Sequence, residues 1–243
     1  MYNTLKNSFT RFIPKKLLFR IEPILRKCYA ISKQGSNHEC VICDFKASGW
    51  VQLPNNDSLC PNCGSLARDR RLWQILKEQF IKSNINILDF SPSRTLFRKW
   101  KKEKKVNHIA SDLSGDFIAD VAYDITQIPE KENTFDLIVC YHVLEHVTED
   151  IKAMNELYRV IKTGGTVVIQ TPFKEGEIYE DYTITSETER LHHFGQEDHV
   201  RIYSVEGLKK RLESVGFTIT VKQFEKDEYL GFNENEIILF ATK

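Results

Sequence analysis

The 243 residues contain no apolar run approaching about 20 residues, so the sequence offers no candidate transmembrane helix. Charges interrupt every apolar stretch near the start, which argues against a secretory leader. Net charge is absent too. Thirty-four Lys and Arg balance 34 Asp and Glu, which gives no general attraction to a polyanion and argues against a nucleic-acid partner. Repeats and low-complexity tracts are also missing. Cysteine is sparse: of six, four fall in two CxxC pairs, while Cys28 and Cys140 stand alone. That usage points to metal binding in a reducing compartment and not to a disulfide framework, so a cytoplasmic protein is expected. What remains is an ordinary globular composition, 41% hydrophobic and 28% charged.

The chain divides into three parts by pattern. Residues 1–36 form a basic lead, with eight Lys and Arg against Glu22 alone. Its apolar positions include Phe9, Phe12, Ile13, Leu17, Leu18, Ile21, Ile24 and Leu25, and Pro14 and Pro23 are expected to break it into short helical pieces. Such a lead could meet an anionic membrane surface peripherally. Residues 37–64 hold the cysteine pairs. Residues 65–243 alternate helical and strand patterns. Strands are expected at Ile85–Asp89, His108–Leu113, Val121–Ile125, Phe135–Tyr141, Thr166–Gln170, Phe217–Phe224 and Glu236–Ala241. An amphipathic helix over Asp150–Lys162 is expected to end at Gly164-Gly165. Strands alternating with helices predict an α/β fold around a mostly parallel sheet, with the last two strands as an antiparallel hairpin.

Cys40-Val-Ile-Cys43 and Cys60-Pro-Asn-Cys63 lie sixteen residues apart. Each CxxC turn aims two thiolates at one centre, and two such turns complete a tetrahedral set for Zn2+. Four thiolates leave no open position, so the implied zinc is structural; an iron–sulfur cluster is the chemical rival. The intervening "DFKASGWVQLPNNDSL" reads as one small hairpin in a zinc-ribbon-like element, with Phe45 and Trp50 expected to cover the metal. Lys46 is its only basic residue, which favours a packing or gating role over a nucleic-acid finger.

Three aspartates, Asp89, Asp112 and Asp124, fall at expected strand ends, where doubly wound sheets bind ligands. Asp112 follows Asp89 by twenty-three residues, about where such folds place a ribose-binding carboxylate. Each could equally be a turn former. The stretches "NILDFSPS", "HIASDLS", "DVAYDITQIP", "FDLIVCYHVLEHV" and "ELYRVIKTGGTVVIQTPF" together resemble the class I S-adenosylmethionine-dependent methyltransferases over most of residues 85–173. "CGSLARDRRLW" and "ERLHHFGQEDHVRIY" are similar to a bacterial subgroup that carries a four-cysteine segment.

The resemblance implies a Rossmann-like sheet of seven strands with the last one inserted antiparallel. It also implies S-adenosylmethionine as cofactor. Residue by residue, it implies that Asp89, Ser91 and Ser93 form the first loop, with the two serines at the methionine end. Asp112 would hold the ribose with Leu113 against the adenine. Asp124 and Ile125 would contact the base, and Tyr141 and His142 would lie near the methyl group. The family's first loop carries glycines at every second position, and here Ser91, Ser93 and Thr95 replace them. The expected ligand has no pyrophosphate to cradle, so small hydroxyl residues can serve it.

Methyl transfer to a hydroxyl needs a proton acceptor, and His142 is the leading candidate. Residues 174–203 are too long for a passive linker and read as a lid over a small-molecule or glycan-type acceptor, with Asp198 and His199 as an acid/base pair. His142, Glu145 and His146 share helical spacing; a second metal there is weighed against a packing role for His146 and not adopted. Two rival readings are an RNA methyltransferase carrying a zinc element and a non-catalytic binding protein on this scaffold. "RKWKKEKK" at 98–105 is read as a solvated basic face.

Overall fold

The computed structural model describes residues 15–54 and 57–243. Phe9, Phe12, Ile13 and Pro14 of the basic lead lie outside that range. Two compact units emerge. One comprises the described residues up to Gln79 with Arg94–Lys99 and Glu225–Glu234; the other comprises Phe80–Ser93, Trp100–Phe224 and Asn235–Lys243.

In the first unit, α1 (Lys15–Ile31) runs unbroken through Pro23, against the expectation of short pieces. A proline inside a helix leaves the carbonyl four residues earlier without its N–H partner. Here that carbonyl belongs to Phe19, and Arg98 Nη2 donates to it at 2.7 Å. Arg98 also pairs with Glu22 at 2.9 Å and stacks over the Phe19 ring. One arginine of the basic stretch is therefore consumed internally. Leu17, Ile24, Leu25, Tyr29 and Ile31 remain exposed along the helix.

The single hairpin expected between the cysteine pairs is instead two short ribbons. β1 (Gln34–Glu39) pairs with β2 (Lys46–Ala47), and β3 (Val51–Gln52) with β4 (Ser58–Leu59), both antiparallel. Then α2 (Ala67–Ile75) follows, extended by a π-turn over Leu76–Phe80.

The second unit is built on a six-stranded sheet. Its strands are β5 (Ile85–Phe90), β6 (Val106–Ser111), β7 (Phe135–Tyr141), β8 (Ile161–Gln170), β11 (Thr218–Phe224) and β12 (Glu236–Thr242). In space they run β11-β12-β8-β7-β5-β6. β6, β5, β7 and β8 are parallel, and β12 enters antiparallel between β8 and β11. The inserted last strand is thus as expected, but the count is six and not seven. The strand expected over Val121–Ile125 shrinks to one parallel bridge, Ser111↔Val121. Ser111 Oγ accepts the Tyr123 N–H, and Asp124 then folds back to accept from Thr126 N and Oγ1. Side chains take the bonds a ladder would need, and extension stops there.

Helices α3 (Arg94–Trp100), α4 (Asp150–Val160), α5 (Glu187–Phe194) and α6 (Val205–Ser214) complete the order, with the short antiparallel pair β9 (Tyr179–Glu180) and β10 (Arg201–Ile202). α4 stops at Val160, earlier than expected, and Gly164 and Gly165 lie inside β8 where its register with β7 slips. A Cβ on Gly165 would approach the Asp136 carbonyl to 3.0 Å. The core packs Leu88, Ile138 and Val167 of the sheet against Met154 and Leu157 of α4 and Leu208 and Leu212 of α6. Each such buried side chain contributes about 1.5–3 kcal/mol.

Candidate functional site

Each unit holds a candidate site. In the first, the two CxxC turns adopt the same backbone. Asp44 N bonds Cys40 O and Cys40 N bonds Phe45 O; Gly64 N bonds Cys60 O and Cys60 N bonds Ser65 O. Each turn passes through a left-handed residue, Asp44 at φ 57° and Gly64 at φ 79°. The result brings the sulfurs of Cys40, Cys43, Cys60 and Cys63 within 4.8 Å of one another. Cys40 and Cys60 are fully buried. Ser65 Oγ lies 3.4 Å from Cys40 Sγ and 3.2 Å from Cys63 Sγ, and Asn62 Nδ2 donates to Cys43 Sγ at 3.3 Å. Contact among the sulfurs drives Cys40 and Cys60 down and Cys43 and Cys63 up from the ordinary thiol range. Four sulfurs competing for protons at this spacing fit a cation at their centre.

Trp50, expected to cover the metal, contacts the 225–234 segment and Arg70. Its Nε1 bonds the Glu228 carbonyl, and the Arg70 guanidinium lies 4.1 Å above its ring. Arg70, fully buried, is the residue that sequence reasoning missed. It donates to the carbonyls of Ser58, Ser65, Leu230 and Gly231, joining the second cysteine turn to the 225–234 segment. Gly231 must be glycine there: at φ 66°, a Cβ would lie 2.5 Å from the Trp50 ring. Its stretch, "CGSLARDRRLW", was singled out only for its resemblance to a bacterial subgroup.

The second site lies at the carboxyl edge of the parallel strands. β5 ends at Asp89 and Phe90, and Asp89 is buried, accepting from Trp100 Nε1 at 2.8 Å with His108 Nε2 at 3.5 Å. It therefore ties β5 to Trp100 and His108 at the strand ends. Ser91 occupies the first glycine position with φ 49°, a left-handed backbone that glycine would adopt freely. Its Oγ donates to Asp112 Oδ1 at 2.8 Å. Asp112, 5% exposed, also accepts from Ser114 Oγ, Gly115 N and Phe117 N. Thr95, at the third glycine position, belongs to the first unit and donates there to the Cys63 carbonyl at 3.0 Å. Ser93 is half-buried.

Leu113 is 62% exposed beside Asp112. Asp124 is exposed and closes its own turn, and Ile125 is buried in the core. Tyr141 ends β7 opposite Gln170 of β8. Next comes His142 at φ 54°, its N–H on the Gln170 carbonyl. Gln170 Oε1 and the fully buried Thr171 Oγ1 have no hydrogen-bond partner among the described residues. Orphaned polar atoms at the strand edge suit a polar ligand.

Beyond His142, the 3-10 turn Leu144–His146 places Glu145, 1% exposed, with Oε1 3.3 Å from His142 Nδ1. Burial pushes the Glu145 carboxyl up, but the His142 contact and the neighbouring His146 hold it below the ordinary range. The structure joins Asp198 to His146, at 3.1 Å, where sequence reasoning joined it to His199. His199, 3% exposed, meets the His146 ring edge-on at 4.6 Å and points Nδ1 at the Phe194 carbonyl. Burial, then the His146 charge, pulls the His199 pKa down.

The 174–203 segment is rooted at both ends. Phe173 bridges Tyr203, β9 pairs with β10, and Ser186 and Gly195 cap α5. Arg201, fully buried, donates to Glu180 and to the carbonyls of Leu144 and Thr148, while Tyr203 donates to Asp150 at 2.6 Å. The tip, with His192, His193 and Tyr182, is exposed. Among the described residues no helix is long and apolar enough to cross a membrane.

A family profile described as "Methyltransferase domain" matches residues 66–222. Among curated proteins, an uncharacterised protein of Methanocaldococcus jannaschii is 38% identical over 68 residues, 26% of this chain and 30% of that one. A demethylmenaquinone methyltransferase of Streptomyces avermitilis is 46% identical over 48 residues, 20% of this chain and 21% of that one. The matched stretches thus span less than a third of either relative's length. A SAM-dependent methyltransferase from Archaeoglobus fulgidus superposes with a TM-score of 0.53 at 19% identity, over 72% of this chain and 93% of that one, and shares the fold.

Proposed function

The chain belongs to the methyltransferase-domain family, and from that premise we propose that it transfers a methyl group from S-adenosylmethionine to an oxygen of a small polar or glycan-type acceptor. The observation that carries the reading is the carboxyl edge of the sheet. A buried Asp112, a left-handed Ser91 and the orphaned polar atoms of Gln170 and Thr171 all fall at the carboxyl ends of β5, β6 and β8.

S-adenosylmethionine supplies a methyl already activated by a sulfonium. The protein's task is alignment, with exclusion of water as a second duty. Asp112 would hold the ribose, its serine partners turning their hydroxyls to admit it. Ser91 and Ser93 would line the methionine end, and Tyr141 would stand at the methyl. His142, steadied by Glu145, would take up the acceptor's proton. The 174–203 segment would close over the acceptor, its exposed histidines giving polar contacts. In the other unit, Cys40, Cys43, Cys60 and Cys63 would hold a structural Zn2+ that ties the two ribbons together.

Calorimetry on the full chain tests the cofactor. Saturable binding of S-adenosylmethionine is expected, weakened roughly ten- to hundredfold by Asp112→Ala, as the loss of a hydrogen bond to a charged group implies. No binding at millimolar cofactor would end the enzyme reading. Binding unchanged in the variant would move the ribose elsewhere.

A further inference from the structure

The second unit contains another cluster. Glu145, His146 and His199 each offer one ligand atom, and the three lie within 4.8 Å of one another. Glu145 Oε2 and His199 Nε2 are buried with no hydrogen-bond partner among the described residues. Leaving a carboxylate oxygen and an imidazole nitrogen buried and unserved costs stability unless something shared satisfies both.

The other ring nitrogens are already committed. His199 Nδ1 lies 3.2 Å from the Phe194 carbonyl, which requires a proton there and leaves Nε2 as a lone pair. His146 Nδ1 lies 3.1 Å from Asp198 Oδ2, which leaves its Nε2 likewise. A carbonyl or carboxylate holding the second nitrogen is how metal-bound histidines are oriented. The carboxylate is oriented too, by His142 Nδ1 at 3.3 Å from Oε1. The frame is fixed: Val200 N bonds the Glu145 carbonyl, and Arg201 bonds the carbonyls of Leu144 and Thr148.

We propose that Glu145, His146 and His199 bind a divalent transition-metal cation. Two imidazoles and one carboxylate suit Mn2+, Fe2+ or Zn2+ better than Ca2+ or Mg2+, which prefer oxygen alone. The site is separate from the four cysteines and does not depend on the methyl-transfer reading. It joins the turn after β7 to the end of the 174–203 segment, so a bound cation would lock that segment's root.

Mn2+ is the probe, because thiolates select softer metals and the cysteine cluster competes poorly for it. Mn2+ titrated into the full chain and followed by the free-ion paramagnetic resonance signal is expected to show one saturable site. His199→Ala should abolish it, and Asp198→Asn should weaken it about 10–100-fold, as loss of an orienting partner does. Asp198 is 71% exposed, so its variant tests the site even where His199→Ala fails to fold. No saturable uptake overturns the proposal, as does wild-type affinity in His199→Ala or, where that variant does not fold, in Asp198→Asn.

Discussion

Ser91 donates a 2.8 Å hydrogen bond to Asp112 across the ends of β5 and β6 while its own backbone stands in the left-handed region, at φ 49°. The two facts oppose each other energetically. A left-handed conformation costs a non-glycine residue about 1–2 kcal/mol, and a hydrogen bond to a carboxylate returns about 1.5–3 kcal/mol. Ser91→Gly removes both and is expected to leave stability within about 1 kcal/mol of wild type. Ser91→Ala keeps the strain and loses the bond, so it should cost about 2 kcal/mol. Urea denaturation of the two variants distinguishes them, and equal losses would refute this account of the loop.

Arg98 and Pro23 are coupled through the Phe19 carbonyl. Arg98→Ala should cost about 2 kcal/mol in the wild-type background. In Pro23→Ala the helix regains its own N–H for that carbonyl, so the same change should cost about 1 kcal/mol less. A double-mutant cycle by thermal unfolding reads the difference. A coupling near zero would mean that the guanidinium acts only through Glu22.

The parallel strands and the two cysteine turns were legible because apolar runs such as "FDLIVCY" and CxxC spacing are local signals, whereas the inserted last strand followed only from the resemblance to a known family. Long-range polar bonds left no such trace. Nothing in α1 announces that Arg98, far along the chain, will satisfy a proline-orphaned carbonyl, and so the helix looked broken. Arg70 received no structural reading because its carbonyl partners, Leu230 and Gly231, come 160 and 161 residues later. The strand at Val121–Ile125 had the right composition, but Ser111 and Asp124 side chains took its bonds. At the candidate site the residue types were visible and the pairings were not: Asp198 chose His146 over its neighbour in sequence.

The four cysteine sulfurs predict a colourless protein that carries one equivalent of zinc on their account by elemental analysis. Cys60→Ser should lose that zinc and lower the melting temperature, because metal affinity in such a site is folding free energy. Chelation of wild type should reproduce the loss, and readdition of zinc should reverse it. A brown protein with iron and acid-labile sulfide would overturn the zinc assignment.

Glu180 should make the root of the 174–203 segment sensitive to acid. It accepts from Arg201 at 2.9 Å and pairs with Arg211, and Arg201 is fully buried. Burial alone would raise the Glu180 carboxyl, but the two guanidinium groups outweigh it and hold the pKa below the ordinary value. A carboxylate with a depressed folded pKa binds fewer protons folded than unfolded, so its stabilisation is fully present above the unfolded pKa of about 4.3 and disappears as pH falls through the lower folded value. Glu180→Gln leaves Arg201 short of a charged partner and should cost about 3 kcal/mol at pH 7. The gap between variant and wild type should stay constant from pH 7 to about 5 and narrow below about 4. Chemical denaturation across that range measures the gap, and a gap that widens on acidification would show that Glu180 is not the group that titrates.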